Sequence, residues 1–172
     1  MKRVTWQVTW HAARRALFLA AGLAVLAALG WSVRGFESLM ASGEVVLLDL
    51  APVDPRSLIQ GDYMRLSFAL ERQQIRLGAP TGTVILKLDE RRIGSFRRLG
   101  SAGPPAPGEQ AFHVRAQPGG DGVIVEPHSF LFQEGQAELY ANARYGIFRV
   151  DAAGRHLLVG LADAEAGKIE PR

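Results

Sequence analysis

Between Ala16 and Val33 the chain carries no charged residue: ALFLAAGLAVLAALGWSV, eighteen residues that are apolar on every side. At about 1.5 Å rise per residue, a helix of this length spans about 27 Å, close to the hydrocarbon core of a bilayer. A helix with no polar face has no side to turn to water, so the run does not read as a surface helix of a soluble domain. Trp10 and Trp31 flank it, where indole rings favour the membrane interface. Lys2, Arg3, Arg14 and Arg15 precede it with no acid among them. That lysine and arginine bias holds the leading end in the cytoplasm. The expected division is a cytoplasmic basic N-terminus at 1–15, a transmembrane helix at 16–33, a linker at 34–43, an extracytoplasmic β-domain at 44–162 and a polar tail at 163–172. The small residues around Ala28-Leu29-Gly30 leave a cleaved signal peptide as the alternative to a retained anchor. Both outcomes deliver the remainder across the membrane.

The formal net charge of +3 does not signal nucleic acid once the charges are located. Residues 1–34 hold five basic residues and no acid, whereas residues 35–172 hold fifteen basic and seventeen acidic ones. A duplex-binding surface needs a concentrated positive field, which the slightly acidic body lacks. The chain has no cysteine, so disulfides, thiolate metal sites and cysteine nucleophiles are excluded together.

Beyond residue 43, apolar residues recur with period two. Glu44–Leu50 reads as a mostly buried strand, ended by Pro52 and Asp54-Pro55. In Tyr63–Leu70, Met64, Leu66, Phe68 and Leu70 share one face and Tyr63, Arg65, Ser67 and Ala69 the other. Three hairpins follow: Thr83–Leu88 with Ile93–Arg98, Gln110–Ala116 with Gly122–Val125, and Ala143–Val150 with His156–Leu161. Ser101–Gly108 reads as an exposed Pro/Gly loop, Glu134–Ala141 as a helical turn, and the tail from Asp163 as frayed. The expected fold is mainly β: one N-terminal transmembrane helix, then an antiparallel β-barrel or sandwich of about seven or eight short strands.

The segment from Pro52 to Phe68, PVDPRSLIQGDYMRLSF, resembles the signature of the GDYXXLXY family of bacterial membrane-anchored proteins. Gly61, Asp62, Tyr63 and Leu66 match the motif, with Phe68 in place of its second tyrosine; Asp54, Pro55 and Arg56 complete the candidate motif residues. Glu134–Ala137 and Ala143–Val150 resemble later family segments. The resemblance implies a single anchor and an extracytoplasmic domain, often encoded beside multi-spanning membrane proteins, and it carries over no catalytic residue. Read physically, Gly61-Asp62 is a turn that fixes strand register, with Leu66 and Phe68 facing the core and Tyr63 the opposite face. The alternative makes Arg56, Asp62 and Tyr63 a polar recognition cluster.

The same arrangement is also similar to type I signal peptidases, whose serine nucleophile and lysine base imply a dyad of Ser57 and Lys87 here. Ser57, however, lacks the Ser-Met setting of that family. His113, His128 and His156 have no metal-ligand spacing, and no cofactor or metal is expected. Arg91, Arg92, Arg97 and Arg98 read as a solvated hairpin beside Asp89 and Glu90, or as a contact for anionic lipid. Phe130, Phe132, Tyr140, Tyr145 and Phe148 read as core. The expected function is that of a non-enzymatic inner-membrane protein whose periplasmic β-domain binds another membrane protein. A membrane-bound serine hydrolase and a binder of a small hydrophobic or sugar ligand are the alternatives.

Overall fold

A computed structural model describes residues 4–51, 59–60, 63–119 and 122–170. The chain divides into two units, Met1–Ala41 and Ser42–Arg172. The first is built on α1 (Val4–Ser42), one helix of 39 residues. It is about 58 Å long, roughly twice the ~30 Å of a hydrocarbon core. Within it Ala13–Ser42 is long and apolar enough to cross a membrane, with mean hydropathy 2.1 over its most apolar window. Leu17, Phe18, Leu19, Leu23 and Trp31 are all exposed. Residues 34–42, where the sequence suggests a linker, continue the helix, because Arg34 and Glu37 add charge without a proline to break it.

The second unit is antiparallel, in three sheets. The first has the order β1-β9-β10, from β1 (Glu44–Asp49), β9 (Tyr145–Val150) and β10 (His156–Ala162). The second, β2-β3-β8, joins β2 (Ile59–Gln60), β3 (Tyr63–Arg65) and β8 (Ser129–Leu131). The third, β5-β4-β6-β7, joins β4 (Thr81–Leu88), β5 (Gly94–Leu99), β6 (Glu109–Ala116) and β7 (Val123–Ile124). A short helix, α2 (Ala137–Tyr140), stands where the helical turn is expected. Single bridges stitch the sheets together: Leu47 pairs with Ile93, and Leu50 with Phe68. Bulges between Ile85 and Leu86 and between Leu158 and Gly160 bend their strands, so the sheets wrap a common core as a partly closed barrel.

All three expected hairpins are present in register. Two strands are additional, β2 and β8; at two and three residues they are too short to show a period. The alternation from Met64 to Leu70 holds in burial, with Met64, Leu66, Phe68 and Leu70 all 5% exposed or less. Regular pairing nevertheless stops at Arg65. Beyond it the extended chain is held by Leu66 N–H donating to the His128 carbonyl (2.7 Å) and Ala51 N–H to that of Ser67 (2.8 Å), before a 3₁₀ turn over Ala69–Arg72. The tail is also tied down. Asp163 Oδ1 accepts the N–H groups of Glu165 and Gly167, which turns the chain back so that Ile169 N–H donates to the Leu161 carbonyl.

Three phenylalanines from separate parts of the chain meet at the centre. Phe148 lies 5.5 Å from Phe68 and 5.3 Å from Phe112, ring centre to ring centre. Gly146 makes room for them, since a Cβ there would come within 2.9 Å of Phe68 Cε1. Val46, Val84, Leu86, Val125 and Leu161 fill the remaining interior with no exposed surface. Each such side chain contributes about 1.5–3 kcal/mol of apolar burial.

One carboxylate fastens the extended segment to the third sheet. Glu71, with its side chain 16% exposed, accepts from Ser67 Oγ and Phe68 N–H through Oε2, both at 3.1 Å. Its Oε1 accepts the Val125 N–H at 2.9 Å. Glu71→Ala strands the Phe68 and Val125 donors and is expected to destabilise the protein by about 3 kcal/mol. Urea unfolding of the detergent-solubilised chain measures it, and a loss under about 1 kcal/mol contradicts the role given to this carboxylate.

Candidate functional site

Of the motif residues, Asp54, Pro55, Arg56, Gly61 and Asp62 lie outside the described residues, as does Ser57. The strands on either side of Gly61-Asp62 pair antiparallel, Gln60 opposite Tyr63 and Ile59 opposite Met64. Tyr63 is half-buried and also pairs with Leu131 on β8. Leu66 and Phe68 are core residues at 3% and 0% exposure. Packing explains the phenylalanine: a phenol hydroxyl at position 68 would enter an apolar interior and need a partner there.

The other sequence candidates separate by environment. Lys87 is exposed on β4, next to buried Leu86, and lacks the desolvated setting that activates a lysine base. Three of the four hairpin arginines hold the fold rather than stand free in solvent. Arg91 donates to the Ala164 carbonyl at 2.8 Å, and Arg92 donates to that of Val45 at 3.1 Å and pairs with Glu44. Arg98 binds the carbonyls of Gly103 and Pro104 and the carboxylate of Glu109 (2.9 Å). Tyr140, Tyr145 and Phe148 are buried, and Phe130 and Phe132 pack on Tyr140 at 5.2 and 5.3 Å. Among the described residues no three His, Cys, Asp or Glu side chains gather as metal ligands.

One concavity of the surface is absent from the sequence reading. A groove of about 840 Å³ lies over the outer face of β4 and β6, walled by Glu126 and Pro127 on one side and Arg155–Leu157 on the other. Its floor follows from strand parity. Val84, Phe112 and Val114 turn inward, so the alternate residues Thr81, Thr83, His113 and Arg115 face out, with Thr81 opposite Arg115 and Thr83 opposite His113. Arg115 reaches Glu126 at 2.6 Å, while Arg155 is held by Asp151 at 2.7 Å. Burial works to raise the Asp151 pKa, but hydrogen bonds from Arg155 and from the Ala153 N–H outweigh it and keep the carboxyl below its ordinary value.

His156 closes the groove wall. Its ring stacks on Phe112 at 3.9 Å and meets Phe148 edge-on at 5.3 Å. Nε2 lies 3.0 Å from the Glu126 carbonyl and Nδ1 lies 3.3 Å from that of Gly154. The ring therefore bridges the end of β7 to the β9–β10 turn. Gly154 fits there because its φ is +94° and a Cβ would press on Phe112 N and His113 Cδ2, both at 3.1 Å. Burial pushes the His156 pKa below its ordinary value; the two carbonyls oppose this and nearby His113 adds to it. Reading the sequence, His156 is one isolated histidine; only the turn that folds Gly154 back on Phe112 reveals its bridging place.

The family model described as GDYXXLXY protein matches residues 25–161. The chain belongs to the GDYXXLXY family. The match runs from within α1 into β10, so the Glu71 fastening, the phenylalanine centre and the groove all fall inside the GDYXXLXY region. No curated protein and no solved structure matches the chain.

A histidine whose folded pKa lies below its unfolded value of about 6.5 binds fewer protons when folded, so its contribution to stability is present above that pH and lost as pH falls through it. Thermal melting of this GDYXXLXY protein is therefore expected to weaken from pH 8 to pH 5 more steeply in the wild type than in His156→Gln. Parallel pH profiles for the two proteins contradict the assignment.

Proposed function

We propose that this GDYXXLXY protein is a single-pass protein of the bacterial inner membrane whose β-domain lies in the periplasm and acts as a non-enzymatic partner of a multi-spanning membrane protein. The supporting observation is the exposed apolar surface of α1, whose residues 16–33 have no charged side chain and no cover among the described residues. Leaving that surface in water is unfavourable by about 25 cal/mol per Å², and a bilayer is the medium that removes it. The basic residues before the span orient the N-terminus toward the cytoplasm.

Anchoring gives the β-domain work of a particular kind. Confinement to the membrane raises its effective concentration toward other membrane proteins, so a modest surface is enough for association. The domain suits this role because its buried side chains, among the described residues, are almost all apolar, which leaves polar recognition to its surface. The surface concavity, with its threonine, histidine and arginine floor, supplies such a place.

Crosslinking of the full-length protein in its native membrane, followed by detergent extraction, tests the reading. The expected product is a discrete heterocomplex containing a multi-spanning membrane protein. Recovery of the monomer alone, at crosslinker levels that trap known membrane complexes in the same sample, contradicts it.

A further inference from the structure

Beyond the uncharged run, α1 continues through residues 34–42 and becomes two-sided. At about 100° per residue, Val33, Phe36, Leu39 and Met40 share one sector about 120° wide, and Arg34, Glu37, Ser38 and Ser42 take the opposite side. Of the four apolar residues only Leu39 is buried. Val33, Phe36 and Met40 are 55%, 56% and 54% exposed.

Lipid does not cover this stripe to its end. Trp31 stands where the membrane interface is expected. Phe36 and Met40 follow it by about 8 and 14 Å along the helix, against a headgroup layer about 5–8 Å deep. Met40 therefore clears the lipid, and Phe36 reaches its outer limit. Within the span an apolar side chain facing any direction is explained by the bilayer. Past the headgroups, a stripe of exposed apolar side chains on one side of a helix calls for protein against it.

Spacing, depth and charge select the occupant. Val33, Phe36 and Met40 are three and four residues apart, and the same alternation runs back through Leu29 and Leu26, which are 57% and 66% exposed. A seam with this repeat is covered by a second helix lying alongside at a small angle. Every copy of the chain enters the bilayer in one orientation, so another α1 brings the same residues to the same height. A two-fold axis along the bilayer normal then sets Phe36 against Phe36 and Met40 against Met40. The seam itself carries no charge. Glu37 flanks it, and in a parallel pair its flanking neighbour is Ser32 of the partner subunit, so like charges do not meet. Confinement to the membrane supplies the concentration that so narrow a contact needs.

From these observations we infer that the α1 seam of Leu26, Leu29, Val33, Phe36 and Met40 packs against the same seam of a second copy, forming a parallel helix pair that carries two β-domains. The pairing goes beyond the partner reading above. It needs α1 retained as a membrane span and needs no other protein.

The absence of cysteine lets the pairing be mapped directly. Single-cysteine variants of the full-length protein are oxidised with copper phenanthroline in native membranes and separated without reducing agent. Val33→Cys, Phe36→Cys and Met40→Cys are expected to give at least about fivefold more disulfide-linked dimer than Arg34→Cys, Ser38→Cys and Ala41→Cys, the contrast between facing and averted positions of a parallel pair. In the Val33→Cys background, Phe36→Glu/Met40→Glu sets like charges against each other and is expected to lower the dimer at least about tenfold. Both residues are exposed, so that loss is expected with the melting of the β-domain unchanged. Equal or greater dimer at the three averted positions overturns the inference, whatever the double variant does. So does dimer that survives the double variant, or seam thiols that join another protein in place of a second copy. The partner reading fails separately. Full-length protein in the membrane without seam-specific dimer removes the helix pair alone. Seam-specific dimer with no other membrane protein crosslinked supports the pair and removes the heterologous partner.

Discussion

A run of eighteen residues without a charge cannot rest in water, and everything else in this GDYXXLXY protein is organised around that fact. It makes α1 a candidate membrane span, while the β-domain builds a core from its own apolar residues. The domain does so economically. Its largest fully buried side chains among the described residues, Phe68, Phe112 and Phe148, come from three separate regions of the chain and meet at one point. Short strands that would be marginal alone are thereby held to a single core.

Polar fastening does what the short strands cannot. Glu71 replaces the missing ladder beyond Arg65 by accepting one nearby backbone N–H, that of Phe68, and one from a distant part of the chain, that of Val125. His156 helps tie the β9–β10 turn to the end of β7, with its ring nitrogens beside the Gly154 and Glu126 carbonyls and its ring stacked on Phe112. Among the described residues no buried side-chain polar atom is left without a partner. The free donors lie on the surface instead, at the groove floor, where an external ligand can use them.

Much of this was legible before any coordinates. Period-two burial from Met64 to Leu70, the three hairpins and the helical turn at Ala137–Tyr140 follow from side-chain alternation and turn chemistry alone. The helix outlasts its expected end at Val33 because charge stops a membrane span without stopping a helix. The tail from Asp163 looks frayed by composition, yet an aspartate-centred turn returns it to β10. Strands β2 and β8 are invisible to pattern reading because two or three residues carry no period. The groove was illegible for another reason: it needs Thr81, His113 and Arg155 side by side, and only strand register places them there.

The lack of cysteine makes the central claim open to a direct measurement. A single thiol introduced as Glu165→Cys, at an exposed position of the C-terminal turn, reports which side of the membrane the β-domain occupies. In intact spheroplasts a membrane-impermeant maleimide is expected to label that thiol fully, with no gain after lysis. Labelling that appears only once the cells are broken open would contradict the account from its first step.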